Sequence, residues 1–126
     1  MGEINSFSIT FRHILYGRLS IELRGNKLSL THSVPTGSMF SFFPAPDVIL
    51  SDMQLKSLLC EINTINFNEW KSVDLGIDDG DYQAFSCEYS SDDRFEFFTQ
   101  ATPPETFNNL SDIILKNYGD VPSLFA

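Results

Sequence analysis

Residues 6–33 read SFSITFRHILYGRLSIELRGNKLSLTHS, and this stretch decides the fold. Phe7, Ile9, Phe11 and His13 alternate with Ser8, Thr10 and Arg12, which is the period of a half-buried strand. Leu19, Ile21 and Leu23 alternate with Ser20, Glu22 and Arg24, and Leu28 and Leu30 with Ser29 and Thr31. Gly17 falls in the first turn. Gly25-Asn26 sits between Arg24 and Lys27 as a two-residue hairpin loop, because both residues tolerate positive φ. Three antiparallel strands therefore form a meander.

Beyond the meander the pattern changes. Pro35, Gly37, Pro44 and Pro46 punctuate residues 34–50, which read as a connection made greasy by Met39, Phe40, Phe42 and Phe43. That loop is expected to fold over the core; its alternative is an exposed patch for docking or dimerisation. A helix is predicted from about 52 to 64, with Ser51 as N-cap and Gln54 completing a capping box. Leu55, Leu58, Leu59 and Ile62 form its single apolar stripe.

Residues 66–81 read as a polar connection containing Trp70 and ending Asp78-Asp79-Gly80-Asp81. A second hairpin follows. Gln83, Phe85, Cys87 and Tyr89 share one face, Phe95, Phe97 and Thr99 share one on the return strand, and residues 90–93 turn between them. The final helix is expected to start with Thr102 as N-cap, Pro103 at N1 and Glu105 at N3. Phe107, Leu110, Ile113, Ile114 and Tyr118 are its stripe and Gly119 its stop. The order βββ-α-ββ-α predicts one α+β domain over residues 1–126. Its antiparallel sheet has about five strands, with two helices on one face.

The 126 residues carry a net charge of −9, distributed unevenly. Residues 1–73 hold six basic and six acidic groups; residues 74–126 hold two and eleven. A charge of this sign disfavours direct nucleic-acid or anionic-membrane binding and favours a basic partner. No apolar run approaches the roughly 20 residues that span a bilayer. The first residues lack a basic segment followed by an apolar one, so a cytoplasmic protein is expected. Cys60 and Cys87 are too few for a disulfide framework and carry no zinc spacing, so reduced thiols are expected.

Catalytic signatures are missing from the string. No phosphate loop, dinucleotide fingerprint or nucleophile elbow occurs. His13 and His32 have no sequence-neighbouring carboxylate or cysteine at ligand spacing. Placing Gly80 at position 6 of a calcium loop puts Leu75 and Ile77 where oxygen donors belong, so the acidic turn fails that pattern. We therefore expect a non-enzymatic protein with no cofactor and no metal. Its partner-facing rim is expected at Asp78, Asp79, Asp81, Asp92 and Asp93, with Trp70 and Tyr82 as anchor candidates.

The Trp70 … Asp79-Gly80 … Tyr82 hairpin, the Pro103-Pro104 helix start and the Phe107 and Leu110 stripe resemble those of immunity proteins from bacterial polymorphic-toxin and contact-dependent inhibition systems. The resemblance spans roughly residues 67–118. It implies a cytoplasmic antidote that occludes the active site of one cognate toxin domain. Alternatives are a structural homodimer, or a phage-type inhibitor that mimics nucleic acid.

Overall fold

The computed structural model describes residues 3–13, 17–36, 39–43, 46–77 and 80–119, with residues 34–36 and 39–43 described by their backbone. Among the described residues seven strands make one antiparallel sheet: β1 (Ile4–His13), β2 (Gly17–Arg24), β3 (Lys27–Thr36), β4 (Met39–Phe43), β5 (Val48–Ile49), β6 (Tyr82–Tyr89) and β7 (Arg94–Thr99). The order is β4-β3-β2-β1-β6-β7, with β5 also paired to β3. Helices α1 (Asp52–Asn63) and α2 (Glu105–Tyr118) complete an α+β fold.

The meander forms as its alternation dictates. Ile9 pairs with Ile21 and Phe7 with Leu23, while Leu23 pairs with Leu28 across the next strand. Gly25, at φ +61°, turns the β2–β3 hairpin with open space around it. The first strand is central: β1 also pairs with β6, setting Ile9 against Phe85 and Phe7 against Cys87. That contact joins residues about 75 apart in sequence, so the hairpin β6–β7 completes a sheet the meander begins.

Odd-numbered β1 residues and their partners bury a single cluster against the helices. Phe7, Ile9, Leu19, Ile21, Leu28 and Phe85 meet Leu58 and Ile62 of α1 and Phe107, Leu110 and Ile114 of α2. The opposite face carries Ser8, Thr10, Ser20, Glu22, Ser29, Ala84, Ser86 and Glu96, and neither α1 nor α2 packs on it among the described residues. Two layers and one uncovered face follow from having only one apolar side per strand.

The capping box of α1 is complete. Ser51 Oγ accepts from Gln54 N at 3.1 Å, and Gln54 Oε1 accepts from Ser51 N at 2.8 Å. Helix α2 begins two residues later than its sequence motif suggested. Pro104, not Thr102, occupies the N-cap, with ψ 155° and no side-chain cap bond. The reason is the Pro-Pro pair: a residue before proline is held extended, so Pro103 cannot serve as the first helical residue. Gly119, at φ 100°, ends the helix as expected. Within the stretch 34–50, expected to be a connection, the described residues include two strands, β4 and β5, along the outer edge of β3. The Leu124-Phe125 tail lies outside the described residues, as do the side chains of Met39, Phe40, Phe42 and Phe43.

Candidate functional site

Trp70 is placed first by its surroundings. A 3-10 turn over Phe67–Glu69 delivers it, closed by Trp70 N donating to Phe67 O at 3.0 Å. Its indole lies 4.8 Å from the Phe67 ring, 5.1 Å from Phe97 and 5.5 Å from Phe107, centroid to centroid. Nε1 donates to Thr106 Oγ1 at 2.6 Å, so the one polar atom of the ring is satisfied inside. At 6% exposure Trp70 belongs to the core, and the anchor role expected for it does not fit this position. Apolar area decides the matter: burying so large a ring gains several kcal/mol at roughly 25 cal/mol per Å².

The residues from Asp74 to Ile77 and from Gly80 to Tyr82 are different. Val73 joins the free side of β7 at its end, with Val73 N donating to Phe98 O and Gln100 N donating to Val73 O, both at 2.9 Å, and Asp74 continues beyond it. One side chain then clamps the stretch 74–77 at two points. Gln100 Oε1 accepts from Leu75 N at 2.7 Å, and Gln100 Nε2 donates to Ile77 O at 2.7 Å. Asp74 Oδ1 accepts from Gly76 N at 2.8 Å, closing a tight turn that Gly76 passes at φ +72°. Gly80 N donates to Ile77 O at 3.3 Å, and Arg12 Nη1 donates to Gly80 O at 3.2 Å. A Cβ on Gly80 would stand 2.7 Å from Ile77 Cγ2, so the close return of the chain needs glycine.

This clamped segment displays Leu75 at 56% exposure and Ile77 at 54%. Asp74 and Asp81 flank them, both exposed. Tyr82 is half-buried on the uncovered sheet face, its ring 5.2 Å from that of Phe98 and 6.0 Å from the Arg12 guanidinium carbon. Asp81 Oδ2 lies 3.7 Å from His13 Nε2 at the end of β1. Both partners are more than a third exposed, so solvent screens the pair and it adds little. Asp78 and Asp79 lie outside the described residues.

The remaining rim candidates are elsewhere. Asp92 and Asp93 form the β6–β7 turn, with Asp92 at φ 66° and Asp93 Oδ2 accepting from Ser91 Oγ at 3.0 Å. Eight residues of β6 separate them from Asp81, about 25 Å at roughly 3.3 Å per residue. A hairpin necessarily sends its entry and its turn to opposite ends. Between them, Arg94 Nε meets Glu96 at 2.9 Å and Arg94 Nη1 meets Glu88 at 3.8 Å. Antiparallel pairing also sets Arg12, Arg18 and Arg24 on the same sheet face as Glu22, Glu88 and Glu96. Of the expected acids that are described, Asp81 and the pair Asp92 and Asp93 therefore do not share one patch; Asp81 keeps company with Asp74, Leu75, Ile77 and Tyr82 instead.

Open depressions on the sheet face opposite the helices include one of about 420 Å³ beside Thr10, Ala84 and Phe98 and one of about 710 Å³ beside Ser8, Glu22 and Glu88. Small-molecule sites enclose most of their ligand, whereas these shallow hollows suit a broad contact. Among the described residues no three His, Cys, Asp or Glu side chains converge as metal ligands. Cys60 is an exposed and Cys87 a buried free thiol, and burial raises the Cys87 pKa. No described helix is long and apolar enough to cross a membrane.

Sequence reasoning missed Leu75, Ile77 and Gln100. The alternation Asp74-Leu75-Gly76-Ile77 carries a signal for the first two, since isolated aliphatics between acids and glycines have little core to enter. Gln100 carries none, because its partners are fixed only when β7 closes the sheet. No protein-family model matches the chain, and neither a curated protein nor a solved structure does.

Proposed function

We propose that the chain is a non-catalytic inhibitor of the immunity-protein kind, docking on a basic protein partner through the surface formed by residues 74–77, which Gln100 clamps, and 80–82. The observation that carries this reading is a pair of half-exposed aliphatics, Leu75 and Ile77, fixed between the carboxylates of Asp74 and Asp81. Exposed aliphatics on a loop cost solubility unless they meet something. Surrounding them with acids selects a cationic counterpart and speeds its approach, and a chain charge of −9 adds a long-range pull. Gln100 holds the loop in place beforehand, which lowers the ordering cost of binding. Tyr82 and Phe98 extend the contact onto the sheet face as an aromatic corner. Occlusion of the partner's working surface requires no turnover by this chain.

The test isolates a partner from the native host, then measures its affinity for two sets of variants. Leu75→Asp with Ile77→Asp and the single Asp81→Lys change the docking segment. Asp92→Lys with Asp93→Lys reverses charge at the far end of the hairpin. Binding that falls about tenfold or more in the first set, and less than threefold in the second, fits the assignment. The opposite ranking, or a partner whose activity is unaffected when bound, refutes it.

A further inference from the structure

We infer that two copies of this chain associate through the outer edge of β3, where β4 and β5 together form one interrupted edge strand. The surface is distinct from residues 74–77 and 80–82 and does not depend on them.

The two short strands both pair antiparallel with β3. Val34 of β3 pairs with Ser41 and Thr36 with Met39, while Leu28 pairs with Val48 and Lys27 with Ile49. Residue numbers in the β3–β4 ladder sum to one less than in the β3–β5 ladder, so a single extra residue separates them. Pro44 and Pro46 fall in that interruption.

The orientation of the outer amides follows from the hairpin. A two-residue turn makes Arg24 and Lys27 the closing hydrogen-bonded pair, so odd-numbered β3 residues bond to β2 and even-numbered ones bond outward. Met39, Ser41 and Phe43 then bond β3, and the N–H and C=O of Phe40 and Phe42 point away from the sheet. Leu50 N donating to Asn26 O at 2.8 Å fixes the same alternation in β5, which turns the Ile49 amide outward as well. Among the described residues the sheet thus ends in a run of outward-facing backbone groups with no strand paired to them, the usual template for another strand.

A second copy is the occupant that the charges select. No Asp, Glu, Lys or Arg occurs from Leu28 to Pro46, in a chain that otherwise carries −9. Asp47, the first acid beyond, is held by Lys27 at 3.7 Å. Two anionic copies can therefore meet here without opposing carboxylates, and an uncharged strand offers a basic partner nothing specific. Ile49 is 62% exposed on this edge, and Met53, 84% exposed, opens α1 four residues later. Both would add the apolar area that a short strand pair lacks. An antiparallel β4–β4 contact is self-complementary, as a two-fold interface requires. The other edge is less available: residues 72–73 cover the end of β7, and Arg94 and Glu96 charge its start.

Sedimentation equilibrium of the whole chain tests this. Mass should climb from 14.3 kDa toward twice that value with concentration, and added salt should favour the dimer by screening like charge. Salt would weaken a complex with a basic protein, so the two contacts are separable. Phe42→Pro removes an outward N–H while leaving the β3 bonds, and Ile49→Lys places a repelled pair at the surface. Each should raise the dimer dissociation constant about tenfold, since two-fold symmetry doubles every loss. Ile49→Lys decides the matter if Phe42→Pro fails to fold. A monomer at every concentration, or a dimer indifferent to both substitutions, overturns the proposal.

Discussion

Replacing Trp70 with alanine tests where the aromatic core begins. The indole is 6% exposed and touches the rings of Phe67, Phe85, Phe95, Phe97 and Phe107. Truncating so large a buried ring removes its transfer free energy and leaves a cavity among five aromatics, together about 3–5 kcal/mol. A domain this size has about 5–15 kcal/mol in all, so the variant should sit close to unfolding. The polar part can be separated. Thr106→Val keeps the volume beside Nε1 but deletes its acceptor, leaving a buried N–H unsatisfied at about 1–3 kcal/mol. In Trp70→Phe with Thr106→Val the donor is gone too, so the double substitution should cost less than the sum. Urea unfolding followed by far-UV circular dichroism reads the wild type, Trp70→Ala, Trp70→Phe, Thr106→Val and the double substitution without relying on the lost tryptophan fluorophore. A Trp70→Ala loss below about 1 kcal/mol with an unchanged slope would mean that the ring lies at the surface, and the anchor role would return.

Three further outcomes are expected. Gln100→Ala should accelerate hydrogen exchange at the Leu75 amide about tenfold, with global stability lowered by about 1 kcal/mol or less; unaltered exchange would deny the clamp. Ser51→Ala should cost about 1 kcal/mol in urea unfolding and Ser51→Gly only a few tenths, because both delete the acceptor of Gln54 N but glycine, with no Cβ, leaves that N–H open to water. Burial lifts the Tyr89 phenol from 10.0 to about 12, with nearby Cys87 adding to the rise. The folded chain therefore keeps a proton that the unfolded chain loses. That stability is present below pH 10 and declines from there to about pH 12, at up to about 1.4 kcal/mol per unit. Tyr118 shifts in the same direction, first by burial and then by Asp47. Tyr89→Phe should flatten the alkaline limb of a urea-midpoint profile, and an identical limb would rule the phenol out.

The sequence by itself determined the local elements. Period-2 alternation in Phe7–Phe11 and Leu19–Leu23, positive φ at Gly25 and the Ser51–Gln54 box all act over a few residues, so they are legible in order along the chain. The fold class follows because strands with one apolar face and helices with one stripe have few ways to bury both. Even there a local rule misled: Thr102 satisfies the cap pattern, but Pro104 holds Pro103 extended and delays the helix. Only the tertiary structure decided what met what. It drew Trp70 inside, sent Asp81 and Asp92 to opposite ends of one hairpin, and set the arginines of β1 and β2 on one sheet face with the glutamates of β6 and β7. It also brought Gln100 to the loop it clamps. Charge counted along a string carries no direction in space; strand pairing between β1 and β6, remote in sequence, supplies that direction.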